Sequence, residues 1–114
     1  MMHEHYRVDV SYDASFDLLS FRRPGIKSSG AIRAGAFVID FFKDELAGLE
    51  IEGASSLFTS LFGQSIDLSR LSNAKIGLQE KNNMLLLLFV FSSGGNQYQK
   101  EIVIPKTQPI PALG

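Results

Sequence analysis

The sequence predicts an α+β domain built mainly as an antiparallel β meander, in the order β-β-β-β-α-β-β-β, with one short helix packed on the sheet. Three observations favour this fold class: strict apolar–polar alternation near the N-terminus, one central stretch with helical spacing, and turn signals between the other apolar runs. The chain has 114 residues, 45% hydrophobic and 20% charged, as is typical of one globular domain. We expect residues 1–104 to form that domain and residues 105–114, which contain three prolines, to form an extended tail.

Four strands are predicted in the first half of the chain. Residues 6–12 alternate strictly, which is the period of a half-buried strand, and residues 16–22 resume as a second strand that should pair with the first. Proline and glycine then mark a loop, which is followed by a third strand over residues 31–42. A turn around residues 43–45 precedes the fourth strand, residues 46–52.

The period then changes to that of a helix. Leu57, Phe58, Leu61 and Phe62 form one apolar stripe at helical spacing. Ser55 or Ser56 is suited to cap the start of this helix, and Gly63 suits the left-handed position just after its end. Because so short a helix is not stable alone, we expect the stripe to pack on the sheet.

Three further strands are predicted in the last third, at residues 74–78, 84–91 and 98–104. The middle one is a continuous apolar run, and a strand that is apolar on both faces needs cover on both faces. One short helix covers part of one side of such a sheet. The remaining cover must come from the sheet folding over on itself, as in a sandwiched monomer, or from a second chain. We expect a homodimer, because two-fold dimers are the commonest assemblies.

Two segments of the first half carry recognisable motifs. In residues 10–21, Tyr12-Asp13 is followed by Asp17 and a hydrophobic strand. In residues 38–55, an aspartate in a strand is followed by a Gly-hydrophobic-Glu-hydrophobic strand that ends in Ala-Ser. Together these motifs resemble the domain of unknown function 2283 family, over roughly residues 6–60.

That resemblance implies a small β-meander followed by a short helix, and it brings no established activity. Some similar proteins look like small partners encoded beside putative toxins. This chain departs from the family in the turn at residues 43–45, which lacks the usual glycine, and in residues 64–114, which have no counterpart.

Several classes of function are disfavoured by composition. The absence of cysteine excludes disulfides, thiol catalysis and cysteine-ligated metals, and the net charge of −1 gives no general attraction to nucleic acid or acidic lipid. His3 and His5 form a His-x-His pair, a weak metal candidate without an obvious third ligand. We expect no cofactor.

The N-terminus lacks a signal-peptide layout, and the longest apolar run is far shorter than the ~20 residues of a membrane span. We therefore expect a cytoplasmic location without membrane contact.

Asp40, Glu50 and Glu52 form the most interesting acidic group. If Ile39 and Phe41 share a face with the apolar residues of the next strand, Asp40 and Glu50 share the opposite face. Two close carboxylates would raise one pKa or hold a hard cation. The alternatives are that Asp40 and Glu50 both face solvent or that one of them pairs with Arg33 or Arg7.

The one local charge imbalance is basic, and it comprises Arg22, Arg23, Lys27 and Arg33. Such a loop is suited to hold a phosphate or an acidic partner, or it is simply solvated. Contact with nucleic acid is not the favoured interpretation, because no nucleotide-binding spacing is present.

The sequence therefore predicts a non-enzymatic interaction module that forms a homodimer. Binding of a different protein is a further option. Two alternatives stay open. One is an antitoxin-like or nucleic-acid-associated regulator that uses the basic loop of residues 22–33. The other is a metal- or acid/base-dependent enzyme that uses Asp40, Glu50 and Glu52.

Overall fold

The chain folds into two antiparallel sheets that pack face to face, with one helix at their side. This architecture is taken from a computed structural model that describes residues 4–105. The strands are β1 (Glu4–Arg7), β2 (Asp9–Asp13), β3 (Leu18–Arg22), β4 (Gly30–Ala34), β5 (Phe37–Phe42), β6 (Glu45–Glu52), β7 (Ser72–Lys81), β8 (Met84–Ser93) and β9 (Asn96–Pro105). The helix α1 spans Ala54–Phe62, and a 3₁₀ turn spans Leu68–Arg70.

The α+β class with mainly antiparallel strands is confirmed, and the strand order roughly follows the prediction. One sheet has four strands in the order β1-β7-β8-β9, and the other has five in the order β2-β3-β6-β5-β4. β7, β8 and β9 form a simple meander. The five-stranded sheet does not, because β6 lies between β3 and β5. No helix in residues 4–105 has the length and apolar character needed to cross a membrane.

The first predicted strand is in fact two strands that belong to different sheets. β1 pairs with β7, the chain bends at Val8, and β2 pairs with β3. Val8 is buried at the bend, and its N–H donates to the carbonyl of Ala74 at 3.1 Å. The alternation predicted from the sequence runs through the bend without interruption because both sheets turn the same set of side chains towards one shared core.

The third predicted strand is a hairpin. β4 and β5 are joined by Gly35 and Ala36, and Gly35 has a φ of 60°, which glycine adopts without steric cost. Residues 4–105 therefore contain nine strands, where seven were predicted. At the other end, Pro105 is the last residue of β9 rather than the start of a tail, and residues 106–114 lie outside the described part.

The core lies between the two sheets and is centred on aromatic rings. Phe58 of α1 is 1% exposed and stacks on Phe89 and Phe91 of β8, with ring centroids 5.6 and 5.4 Å away. Phe21 of β3 reaches the same cluster, 6.4 Å from Phe89. Packing of α1 on the sheet is thus confirmed, and the contact between Phe21 and Phe89 joins the two sheets.

The start of α1 is capped differently from the prediction. The N-cap is Gly53, which has a φ of 63° and no side chain to offer, so neither Ser55 nor Ser56 fills that role. Asp17 from the β2–β3 turn replaces the missing cap: its carboxylate accepts from the N–H of Ser55 at 3.0 Å and from its Oγ at 2.7 Å. The end of α1 follows the prediction, since Gly63 has a φ of 69°.

Candidate functional site

The outer face of the five-stranded sheet carries the acidic residues that the sequence singled out. Asp40 and Glu50 lie on this face, while Ile39 and Leu49 pair with each other on the buried face. Arg22 of β3 reaches across to both carboxylates. Its Nη2 donates to Glu50 Oε2 at 2.6 Å and lies 3.6 Å from Asp40 Oδ2. The two carboxylates therefore share one guanidinium, and the space between them is not open to a cation.

Gly48 of β6 lies beneath this crossing. It sits between Arg22 and Asp40 in the register of the sheet. A Cβ added to Gly48 would lie 2.9 Å from the carbonyl oxygen of Phe21 and 3.4 Å from Cγ of Arg22. The contact with the Phe21 carbonyl is too close for a side chain on this backbone, whereas the Arg22 contact is ordinary, so the neighbouring strand requires a glycine here.

Asp40 is the most buried charged residue of the described chain, with 6% exposure. The β3–β4 loop crosses the neighbouring strand ends, where the N–H of Ser29 donates to the carbonyl of Phe41 at 2.7 Å. Ser28 Oγ lies 3.5 Å from Asp40 Oδ1, while Oδ2 accepts no hydrogen bond from any described residue. Because Oδ2 is buried without a hydrogen bond, the charge of Arg22 is the main interaction that stabilises ionised Asp40.

Glu52, the third acidic candidate, pairs with Arg33. Two parallel hydrogen bonds of 2.9 Å join the guanidinium to the carboxylate across the sheet. This contact lowers the pKa of Glu52 and raises that of Arg33. The ion-pair alternative was predicted for Asp40 or Glu50 with Arg33 or Arg7. Both instead pair with Arg22, and Arg33 is taken by Glu52.

The basic loop has few free cations. Arg22 and Arg33 are held as described, and Arg23 donates to the carbonyl of Leu46 at 2.8 Å and lies 3.8 Å above the ring of Tyr6. Lys27 is exposed and forms no ion pair with any described residue. Of the four cations, three are thus occupied within the chain.

The structure describes one of the two histidines. His5 lies on β1 and is exposed, whereas His3 lies outside the described residues. Within residues 4–105, no group of three or more histidine, aspartate or glutamate side chains is placed to hold a metal ion.

One polar cluster was missed at the level of sequence. Tyr12 donates to Asp17 Oδ1 at 2.6 Å, and Asp17 in turn caps α1. The hydrogen bonds from Tyr12 and Ser55 lower the pKa of Asp17, and the same contact with Asp17 raises the pKa of Tyr12. The signal was present as the Tyr-Asp…Asp motif of residues 12–17, whose role here is to join a turn to a helix.

The outer face of the four-stranded sheet is different in character. β8 alternates between buried and half-buried positions, so Leu85, Leu87, Phe89 and Phe91 face the core. The residues between them, Leu86, Leu88 and Val90, face outwards and do not join the core. Met84 and Val103 extend this apolar stripe and are 48% and 51% exposed. Packing of the two sheets therefore covers one face of β8, and no element within residues 4–105 covers the other.

Charged residues flank the apolar stripe on opposite sides. In the register of the sheet, Lys75 of β7 pairs with Val90, and Glu101 of β9 pairs with Leu88 from the other side. Both side chains are exposed, and neither forms an ion pair with a described residue. The stripe thus has a positive margin along β7 and a negative margin along β9.

Comparison of the chain with protein-family models, with curated proteins and with solved structures finds no match.

Proposed function

We propose that this chain is a non-enzymatic interaction module that works as a homodimer. The observation that carries the proposal is the outer face of β8. There, Leu86, Leu88 and Val90 form an apolar stripe, which exposed Met84 and, on β9, exposed Val103 extend. Single exposed apolar residues are ordinary, but a contiguous apolar stripe on a sheet is typical of an interaction surface. Association would bury this stripe and gain the hydrophobic stabilisation that the single chain lacks.

The ion pairs on the opposite sheet favour this proposal over an enzyme. Asp40 and Glu50 share Arg22, and Glu52 is engaged by Arg33. A cation bound between Asp40 and Glu50 would have to displace the Arg22 guanidinium, which already pairs with both. The same pairs disfavour a nucleic-acid regulator, because they occupy arginines that would otherwise contact phosphate.

Sedimentation velocity, run from about 1 to about 200 µM, tests the proposal, since a reversible dimer dissociates on dilution. We expect a species of twice the chain mass of 12.6 kDa to grow with concentration. Native mass spectrometry of the same sample identifies any bound passenger. A monomer at every concentration would refute the homodimer, and a stoichiometric metal or nucleotide would refute the non-enzymatic assignment.

The alternatives have tests of their own. A carboxylate cation site requires that Mn²⁺ or Ca²⁺ raise the melting temperature and that Glu50→Gln abolish the rise. A nucleic-acid role requires salt-sensitive retention on heparin. We expect neither effect, and either one would reorder the candidate functions.

A further inference from the structure

We propose that two copies pack face to face through the outer surfaces of their four-stranded sheets, about a two-fold axis parallel to β8. This arrangement places Lys75 of each copy beside Glu101 of the other. The inference rests on the proposed homodimer and adds to it the surface, the symmetry and the residues that select them.

The sheet face is better suited to self-association than the free strand edges. β4, at one edge, has five residues. β9, at another, ends at Pro105 and turns Lys100 towards the core side of the sheet, as shown by the pairing of Lys100 with Phe89. Short edges, prolines and inward-facing charges all oppose the addition of another strand. The apolar stripe has no such protection.

The area available is consistent with a weak but specific dimer. β7, β8 and β9 each have ten residues, so the face is about 34 Å long and, with its fourth strand, about 15 Å wide. Two such faces bury roughly 1,000 Å² in total, near the lower limit for specific interfaces. We therefore expect dissociation in the micromolar range rather than a permanent dimer.

The flanking charges select the direction of the axis. An axis parallel to β8 places β8 on β8 and exchanges the two margins, so β7 of one copy lies over β9 of the other. Lys75 is level with Val90, and Glu101 is level with Leu88. Lys75 of one copy therefore lies two residues along the strand from Glu101 of the other, an offset that the two side chains can span. An axis across the strands, centred on the row of Leu88 and Glu101, would instead bring the two Glu101 side chains together. Like charges in that position are destabilising, so the parallel axis is favoured.

A charge-exchange experiment tests the arrangement, with the dissociation constant measured by sedimentation. Each dimer contains two Lys75–Glu101 pairs, so Lys75→Glu alone and Glu101→Lys alone should each raise the dissociation constant about tenfold or more. The double variant Lys75→Glu/Glu101→Lys should restore most of the wild-type affinity. Lys43→Glu, which makes the same charge change in the turn between β5 and β6, serves as the matched control and should leave the affinity unchanged.

Each outcome decides between the two levels of the proposal. A wild-type monomer at all concentrations would overturn both the homodimer and this arrangement. A wild-type dimer that is indifferent to both single changes, or that the double variant fails to restore, would overturn the arrangement and leave the homodimer intact. Circular dichroism of each variant confirms folding, and the milder pair Lys75→Gln and Glu101→Gln replaces any variant that does not fold.

Discussion

The outer faces of the two sheets treat their charged side chains in opposite ways. On the five-stranded sheet, Arg22 pairs with Asp40 and Glu50, and Arg33 pairs with Glu52, so each of these three carboxylates has a basic partner within the same chain. On the four-stranded sheet, Lys75 and Glu101 stand on either side of an apolar stripe, and neither has an ion pair with a described residue.

This difference separates features that stabilise the monomer from features that remain available to a partner. Charges that satisfy one another across a sheet fix side chains and reduce the attraction of that face for other molecules. An apolar stripe with unpaired charges at its margins leaves both hydrophobic and electrostatic free energy to be gained on association. The acidic residues that draw attention in the sequence are therefore weaker functional candidates than the leucines of β8.

The largest expected effect contrasts two neighbours on β8. Leu87 is fully buried between the sheets, whereas Leu88 faces outwards. Leu87→Asp would bury a carboxylate in the core and destabilise the fold by more than about 4 kcal/mol, close to the whole stability of a small domain. Leu88→Asp should keep the fold and abolish the dimer. Thermal melts and sedimentation of both variants check this contrast, and unfolding of the Leu88 variant would contradict it.

A second effect, of about 1–3 kcal/mol, is expected at the shared guanidinium. Arg22→Gln removes the cation nearest to the buried oxygen of Asp40, so the free energy of unfolding should fall. Asp40→Asn removes the buried charge itself and should recover much of that loss when the two changes are combined. Chemical denaturation of the single and double variants gives the coupling energy. Strict additivity would show that Arg22 and Asp40 do not interact.

A loss of about 1 kcal/mol is expected when the cap of α1 is weakened by Asp17→Asn. The pKa of Asp17 is lower in the folded state than its ordinary value of 3.8. The ionised carboxylate therefore stabilises the fold fully at pH values above 3.8. That stabilisation is lost as the pH falls through the lower, folded pKa. The difference in melting temperature between wild type and Asp17→Asn should therefore shrink as the solution is made acidic. A difference that stays constant down to strongly acidic pH would contradict this role.

The smallest effect is expected for Arg33→Gln. The Arg33–Glu52 pair has good geometry, but both side chains are about half exposed, at 52% and 50%. Exposed pairs contribute little because water and salt screen them. The melting temperature should change slightly in low salt and not at all in high salt. A loss as large as that of Arg22→Gln would mean that burial is not what distinguishes the two pairs.

The sequence predicts the fold class because its patterns are local. Alternation, the helical stripe of α1 and the Gly94–Gly95 turn, where both glycines have positive φ, each specify a nearby structure. The first and third predicted strands are each two strands in the structure, and both divisions have a physical reason why the sequence hides them. The bend at Val8 leaves the alternation intact, and the turn at Gly35 contains one glycine in an otherwise strand-like run.

The candidate site was less predictable because its geometry depends on distant strands. Arg22 meets Asp40 through the insertion of β6 between β3 and β5, a topology that no local pattern encodes. The capping of α1 by Asp17 likewise joins residues that are far apart in sequence. In contrast, the double-sided character of β8 is visible in its composition and predicts cover on both faces. The second sheet covers one face, and cover of the other stays a prediction.

The division of the chain between its sheets also has a consequence for the order of folding. All five strands from β2 to β6 lie within residues 9–52, so that sheet can assemble from one continuous stretch of nascent chain. β1, in contrast, precedes them all and pairs with β7 at residues 72–81. Closing so long a loop is entropically costly and slow. β1 is therefore synthesised before every other described strand and is among the last to find its partner.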